Sequence, residues 1–422
     1  MYQAIRGTSD ILPEEQPYWR YVEQKAANIS RLYGFQRIDT PMFEDTSLFR
    51  RSVGEYTDIV QKEMYTFEDK GGKSITLRPE GTAPVCRAYL EHGLHNLPQP
   101  VKLYYLASIF RYERPQAGRL REHHQFGCEV IGDADPAIDA EVIDMAWQFY
   151  KSLGLVDISL QLNSIGCKEC RPEYLSALKK YFAGHESSLC SDCKIRLDKN
   201  PLRLLDCKQP SCQPIADAAP DGTDYLCSQC EEHFTSLKKY LDLLAIPFTA
   251  NHRLVRGFDY YTRTVFEIHP AGSGAQGAIG AGGRYDGLIE ELGGKPTPAI
   301  GFAAGIERII LNIKKQGIVV PTPPLLQVFI AYLGEQAKDE AVKLTTSLRQ
   351  SGTSAAMTTG VKSLKAQLRQ ADSLGARYTV IIGEDEVKAG TATLRNMADA
   401  RQETLPMGEL KQRLTSGSAK TL

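Results

Sequence analysis

Residues 100–132 read PVKLYYLASIFRYERPQAGRLREHHQFGCEVIG. The two flanks are rich in Tyr, Leu, Ile, Val and Phe and predict two strands, joined by the polar loop RPQAGRLR. Arg111, Arg114, Arg119 and Arg121 all fall between positions 111 and 121, with Glu113 among them. Guanidinium forks hold phosphate oxygens in pairs, so this loop suits a polyphosphate; a solvated hairpin tip would carry the same residues. On the second strand Gln125 and Glu129 lie four apart and share a face. Glu129 stands in sequence among Phe126, Cys128, Val130 and Ile131, and a carboxylate buried there needs a cationic or hydrogen-bonding partner.

Upstream, PYWRYVEQKAANISRLYG (residues 17–34) has apolar residues at helical spacing and ends at Gly34, with Ser9 or Asp10 as a candidate cap. FQRIDTPMFE predicts a strand stopped at Pro41, and residues 64–77 a hairpin turning at Gly71-Gly72. LRPEGT leads into a helix, and its Glu80 and Thr82 offer acceptors at a strand-to-helix turn. Downstream, DAEVIDMAWQFYKSLG predicts a helix. LVRGFDYYTRTVFEI (residues 254–268) predicts a strand, on which Tyr260 and Tyr261 face opposite ways and Arg256 stands at the entrance. An edge strand with Arg256 in solvent is the plain reading of that segment alone. GAIGAGGRYDGL and GFAAGIER let backbone approach a ligand closely. The proline-rich KKQGIVVPTPPLLQ marks a boundary, after which strands and helices alternate as in a small α/β domain.

The chain has 422 residues, 42% hydrophobic and 24% charged, which suits a globular protein of about three domains. Its 50 basic and 51 acidic residues nearly cancel, so a nucleic-acid partner would need a local patch. No basic segment followed by an apolar run opens the sequence, and no apolar run is long enough to span a bilayer. Cytoplasmic location, away from membranes, is the expectation.

Of ten cysteines, Cys86 and Cys128 stand alone, as core residues do. The others form the C-x-x-C pairs Cys167–Cys170, Cys190–Cys193 and Cys227–Cys230 and the wider pair Cys207 and Cys212. In a reducing compartment such spacing points away from disulfides. Eight thiolates would fill two tetrahedral zinc sites; a reduced, metal-free helical segment is the alternative.

In order along the chain, GFQRIDTPMFE, LRPEGT, FRYERPQAGR, HHQFGCEVIG, LVRGFDYYTRTVFE, AGGRYDGL and GFAAGIERI closely resemble the histidyl-tRNA synthetase family of class II aminoacyl-tRNA ligases. The resemblance spans about residues 1–320, and RGFDYYTRTVFE is particular to that family. It implies an α+β fold: an antiparallel sheet flanked by helices, a Cys-rich, mainly helical insertion over 167–245, and a C-terminal α/β anticodon-binding domain over 325–422. It also implies ATP with Mg2+, L-histidine and tRNA(His) as substrates, and a homodimer formed through GFQRIDTPMFE. Beyond 325 there are thirteen basic and ten acidic residues, a mild basic bias consistent with RNA.

By that resemblance Arg256 and Arg111 are the catalytic cations, with Arg256 reaching both the histidine carboxylate and the α-phosphate, where related ligases use a metal ion. Glu80, Gly81, Thr82 and Gln125 surround the α-amino group. Glu129 and Tyr261 bond the imidazole, and Tyr260 and Tyr285 shape its pocket, Tyr261 alone of the tyrosine pair touching the ring. Glu113 reads the adenine amino group, Arg308 braces the adenine and γ-phosphate, and Arg121 completes the nucleotide side. Arg114, Gln116 and Arg119 meet the tRNA acceptor end. His123 stands where many relatives place a phenylalanine against adenine; an imidazole titrating near its ordinary value of about 6.5 would make nucleotide affinity sensitive to pH. A non-catalytic relative, the histidine-sensing regulatory subunit of ATP phosphoribosyltransferase, is the alternative within the same fold.

Overall fold

The computed structural model describes residues 2–55, 57–114, 119–270, 277–321 and 326–415. The chain divides into two compact units, Met1–Val320 and Pro321–Leu422.

The first unit is built on an eight-stranded sheet in the order Gln36–Arg37, Val101–Phe110, Glu122–Ile131, Ala299–Gly305, Gly280–Arg284, Thr262–Pro270, Ile158–Ser164, Phe248–Ala250. The strand pairs within the six central strands are all antiparallel, and the two short outer strands pair in parallel. The long central pair runs in register from Val101 opposite Ile131 to Phe110 opposite Glu122. Period-two alternation splits the second of these strands between two cores. Phe126, Cys128 and Val130 enter a cluster under the helices Gln16–Leu32, Pro136–Ser152, Ser228–Leu243 and Ile306–Lys315. Gln125 and Glu129 therefore point to the other face, which Ile131 shares, whereas Phe126, Cys128 and Val130 pack away from Glu129.

The helix Gln16–Leu32 buries Trp19, Val22, Ala26 and Ile29, one stripe at helical spacing. It begins after Glu15 without a side-chain cap, so neither Ser9 nor Asp10 starts it. Pro136–Ser152 does have a cap, with Asp135 accepting from the Ala137 N–H at 2.8 Å and Pro136 in the first turn. Across that core, buried Asp139 pairs with Arg284 at 2.6 Å and with His233 at 2.8 Å. Helix, sheet and helix are thereby tied at one carboxylate.

FQRIDTPMFE is broken rather than one strand, since Pro41 parts Gln36–Arg37 from Phe43–Asp45. Phe43–Asp45 joins Ser74–Leu77 and Tyr65–Glu68 in a small antiparallel sheet whose tight turn is held by the Asp69 carboxylate. Residues 167–245 are mainly helical: Arg171–Ala183, Ser191–Lys199, Gln213–Asp217 and Ser228–Leu243.

The second unit is a five-stranded sheet in the order Ala355–Met357, Leu326–Tyr332, Ala376–Ile382, Thr391–Asn396, Gln402–Pro406. Its first three strands are parallel and its last two antiparallel. Helices Glu335–Gln350 and Leu364–Ser373 provide the crossovers.

Candidate active site

On the face opposite the helical core the central strands floor a cavity of about 570 Å³. Its closed end is organised around Glu129, 1% exposed. One carboxylate oxygen accepts from the Thr82 hydroxyl at 2.8 Å and the Tyr105 hydroxyl at 3.3 Å, the other from the Tyr285 hydroxyl at 2.6 Å. Burial pushes the Glu129 carboxyl up to about 8, against the pull of those hydroxyls. Glycines make the room: a Cβ at Gly301 would overlap Glu129, and one at Gly127 or Gly81 would overlap the Tyr105 ring. Tyr105 itself is invisible in sequence, one aromatic in an alternating apolar strand; its only signal is the pair of glycines it needs.

Glu80 is 3% exposed and accepts from the backbone N–H groups of Thr82 at 2.6 Å and Ala83 at 2.8 Å. It thus satisfies the start of the helix Thr82–Glu91 while burial raises its own pKa. Gln125 and Gly81 line the same cavity.

Arg256 is neither in solvent nor on a strand. The strand begins at Thr262, and residues 254–261 form the loop before it. The Arg256 side chain is 17% exposed and pairs with Glu267 at 2.5 Å. Glu267 also takes a hydrogen bond from His269 at 2.9 Å. Burial alone would raise the Glu267 carboxyl; His269 and Arg256 hold it below its usual range. The buried Arg256 Nε has no hydrogen-bond partner among the described residues. Because the pair Tyr260 and Tyr261 precede the strand, alternation does not apply to them. Both rings are buried, lie 4.7 Å apart and line the cavity, contrary to the opposite orientations expected from the sequence.

The open end carries the cations. Arg111 donates to the Pro79 carbonyl at 2.8 Å and packs over Phe258, with Glu113 at 3.8 Å. Arg119 reaches Glu113 at 3.4 Å, and Arg308 donates to the Ala278 carbonyl at 2.7 Å. Arg121 lies over the Tyr112 ring, 3.9 Å from its centroid, and is not among the lining residues. Arg114 is exposed, and Gln116 lies outside the described residues. His123 lines the cavity, but burial, and next the Arg111 charge, drive its pKa down to about 3. The expectation of an imidazole titrating near neutrality is therefore corrected: His123 is neutral. Sequence reading also missed Glu307, which accepts from the His124 backbone N–H at 2.9 Å and meets its ring at 2.8 Å.

The eight clustered cysteines come together in two groups, Cys167, Cys170, Cys227 and Cys230, and Cys190, Cys193, Cys207 and Cys212, and Cys190 and Cys207 of the second line the cavity.

Arginines, carboxylates and phenols lining one cavity are the side chains that a pocket for a polyphosphate beside a small polar molecule would need. Comparison with known proteins narrows the class. The family model described as histidyl-tRNA synthetase matches residues 7–169 and 216–309, and one described as an anticodon binding domain matches 327–416. The histidine–tRNA ligase of Dehalococcoides mccartyi is 64% identical over 97% of this chain and 98% of its own. That of Pelotomaculum thermopropionicum is 53% identical over 97% and 96%. The crystal structure of apo histidyl-tRNA synthetase from S. aureus superposes with a TM-score of 0.84 at 40% identity, covering 98% of this chain and 100% of that one. The chain belongs to the histidyl-tRNA synthetase family, the ligases rather than the regulatory relatives.

Proposed function

We propose that the protein is a histidine–tRNA ligase. It joins L-histidine to ATP, forming histidyl-adenylate and pyrophosphate, and then transfers the histidyl group to the 3′ end of tRNA(His). The observation that carries this reading is one cavity lined by Glu129, Tyr261 and Tyr285 together with Arg256, Arg111 and Arg308.

In the first step a histidine carboxylate oxygen attacks the α-phosphorus of ATP, and the bond to the β-phosphate oxygen breaks. Magnesium brought with the nucleotide would supply further screening of phosphate charge. Negative charge grows on the α-phosphoryl oxygens, where Arg256 and Arg111 meet it. Arg256 is already held by Glu267, so little reorganisation accompanies the reaction. Glu129 and Tyr261 bond the imidazole nitrogens. An apolar amino acid would forgo both bonds in a site built to make them, giving discrimination of about 10⁴-fold or more without a hydrolytic correction step. Glu80, Thr82 and Gln125 receive the α-amino group. Glu113 and His123 hold the adenine, with Arg121 on the nucleotide side. Arg114, Gln116 and Arg119 guide the tRNA end, one of whose ribose hydroxyls attacks the carbonyl carbon and releases AMP.

Residues 1–320, with the insertion 167–245, form the catalytic domain, and 325–422 the anticodon-binding domain. A homodimer is supported by Phe43 and Phe67, 55% and 48% exposed on one face of the small sheet. No helix among the described residues is long and apolar enough to cross a membrane, and we place the protein in the cytoplasm with its tRNA.

The test is ATP–pyrophosphate exchange with each amino acid in turn. Histidine alone should support exchange, and Arg256→Ala should reduce it by about 10²–10³-fold, the usual effect of removing one fixed transition-state donor. Protein that binds histidine yet catalyses no exchange would overturn the reading.

A further inference from the structure

We propose that the two cysteine groups are tetrathiolate zinc sites, and that they fix the position of the loop 254–261 that brings Arg256 and Tyr261 into the cavity. The assignment of the metal stands on the cysteines alone; its effect on the pocket rests on the function proposed above.

In each group the four Sγ atoms lie within 4.8 Å of one another. Tetrahedral zinc with bonds of about 2.3 Å sets its sulfurs about 3.8 Å apart. Cys167 lies 3.7 Å from Cys170 and 3.9 Å from Cys227, Cys170 lies 3.9 Å from Cys230, and Cys190 lies 3.8 Å from Cys207. All are free thiols. Packing of apolar side chains does not require such convergence; Cys86 and Cys128, fully buried, belong to neither group.

The backbone is shaped for the same purpose. Gly166 has φ +70°, and a Cβ there would sit 2.8 Å from the Cys170 sulfur, so the turn into Cys167 admits only glycine. Backbone N–H groups point at sulfur: Cys167 N–H to Cys170 and Cys190 N–H to Cys212, both at 3.3 Å. Such donors stabilise thiolates. Cys193, Cys207, Cys212 and Cys230 are all under 5% exposed, which keeps water from competing for the ion. An all-sulfur tetrahedral set selects zinc among the common divalent ions that undergo no redox change.

Both groups reach the catalytic loop directly. Arg171, next to Cys170, donates to the Tyr261 carbonyl at 2.5 Å and to the Gly166 carbonyl at 3.1 Å. From the segment between Cys193 and Cys207, Asn200 donates to Asp259 at 2.9 Å and Arg203 to the Gly257 carbonyl at 3.3 Å. Cys190 and Cys207 themselves line the cavity. The loop is thus fastened at three points to segments whose own folds would be pinned by metal. The histidyl-tRNA synthetase family model passes over residues 170–215, which hold five of these eight cysteines.

Metal analysis of the full chain, purified without chelators from zinc-supplied cells, should return two zinc ions per chain. Cys230→Ser and Cys212→Ser should each lose one, and protein grown on cobalt should show the intense absorption of tetrahedral cobalt thiolate. Fewer than two zinc ions in the unaltered protein, iron in their place, or a six-coordinate cobalt spectrum overturns the metal assignment without recourse to any variant. For the positioning role, Arg171→Gln should keep both metals and raise the KM for histidine several-fold at unchanged KM for ATP. An unchanged KM for histidine overturns it. Zinc-loaded protein without histidine-dependent exchange would refute the ligase reading and leave the metal sites standing; active metal-free protein would do the reverse.

Discussion

Glu129 shows how one buried group ties chemistry to stability. Its folded pKa, about 8, lies above the unfolded carboxylate value. A group whose pKa rises on folding favours the folded state most below the unfolded value, and the advantage fades as pH climbs through the folded one. The ligand-free protein should therefore lose melting temperature between about pH 5 and pH 9, and Glu129→Gln should flatten that profile while raising the KM for histidine. Parallel profiles for the two proteins would show that Glu129 ionises normally. For His123 the sign is opposite: its folded pKa is depressed to about 3, so no charge appears on it near neutrality. The KM for ATP should accordingly be flat between about pH 6 and pH 8, and a break near pH 6.5 removed by His123→Phe would contradict the burial argument. Sequence reading chose both residues but saw neither environment. What a side chain touches across a sheet depends on register, and register is set by partners far along the chain. Tyr260 and Tyr261 were misassigned for a related reason: strand-forming residues continue past the point where pairing starts.

At the scale of elements, Asp139 is the point on which three of them converge. It and Arg284 are both 0% exposed, joining the helix Pro136–Ser152 to the strand Gly280–Arg284, and His233 adds the helix Ser228–Leu243. Removing one partner of a buried pair strands the other charge. Asp139→Ala should cost about 3–5 kcal/mol by denaturant titration, whereas an exposed pair such as Arg37 and Asp39 should cost under about 1 kcal/mol. A loss from Asp139→Ala no larger than that of the exposed pair would mean that water already reaches the site. Elements themselves were legible wherever periodicity was strong: the helices after residues 16 and 135 and the long central hairpin follow from spacing and turn residues. The interruption of FQRIDTPMFE was legible only as its proline, because which short piece joins which sheet is decided by contacts with strands 30 to 70 residues away.

The whole molecule holds separate cores on either side of residue 320. Residues such as Val328, Ile330 and Leu348 cluster only with others of the second unit. A unit with its own core can fold alone. A chain ending at Val320 should keep histidine-dependent exchange within a few-fold and lose most tRNA charging; loss of exchange as well would mean that the first unit depends on the second. Proline-rich sequence interrupts both helix and strand patterns where the two compact units meet, whereas the second unit's last two strands, Thr391–Asn396 and Gln402–Pro406, carry no run of apolar residues to announce them.

Glu80 caps the helix Thr82–Glu91 with both carboxylate oxygens, and Thr82 in turn anchors Glu129. The walls proposed to recognise the substrate are therefore also joints that close the fold. An evolutionary route to a different amino acid is narrow here, because substitutions at positions 80, 82 or 129 must survive as soluble protein before any new preference can be selected. A mutational library at these three positions should be depleted by misfolding long before it is sorted by specificity.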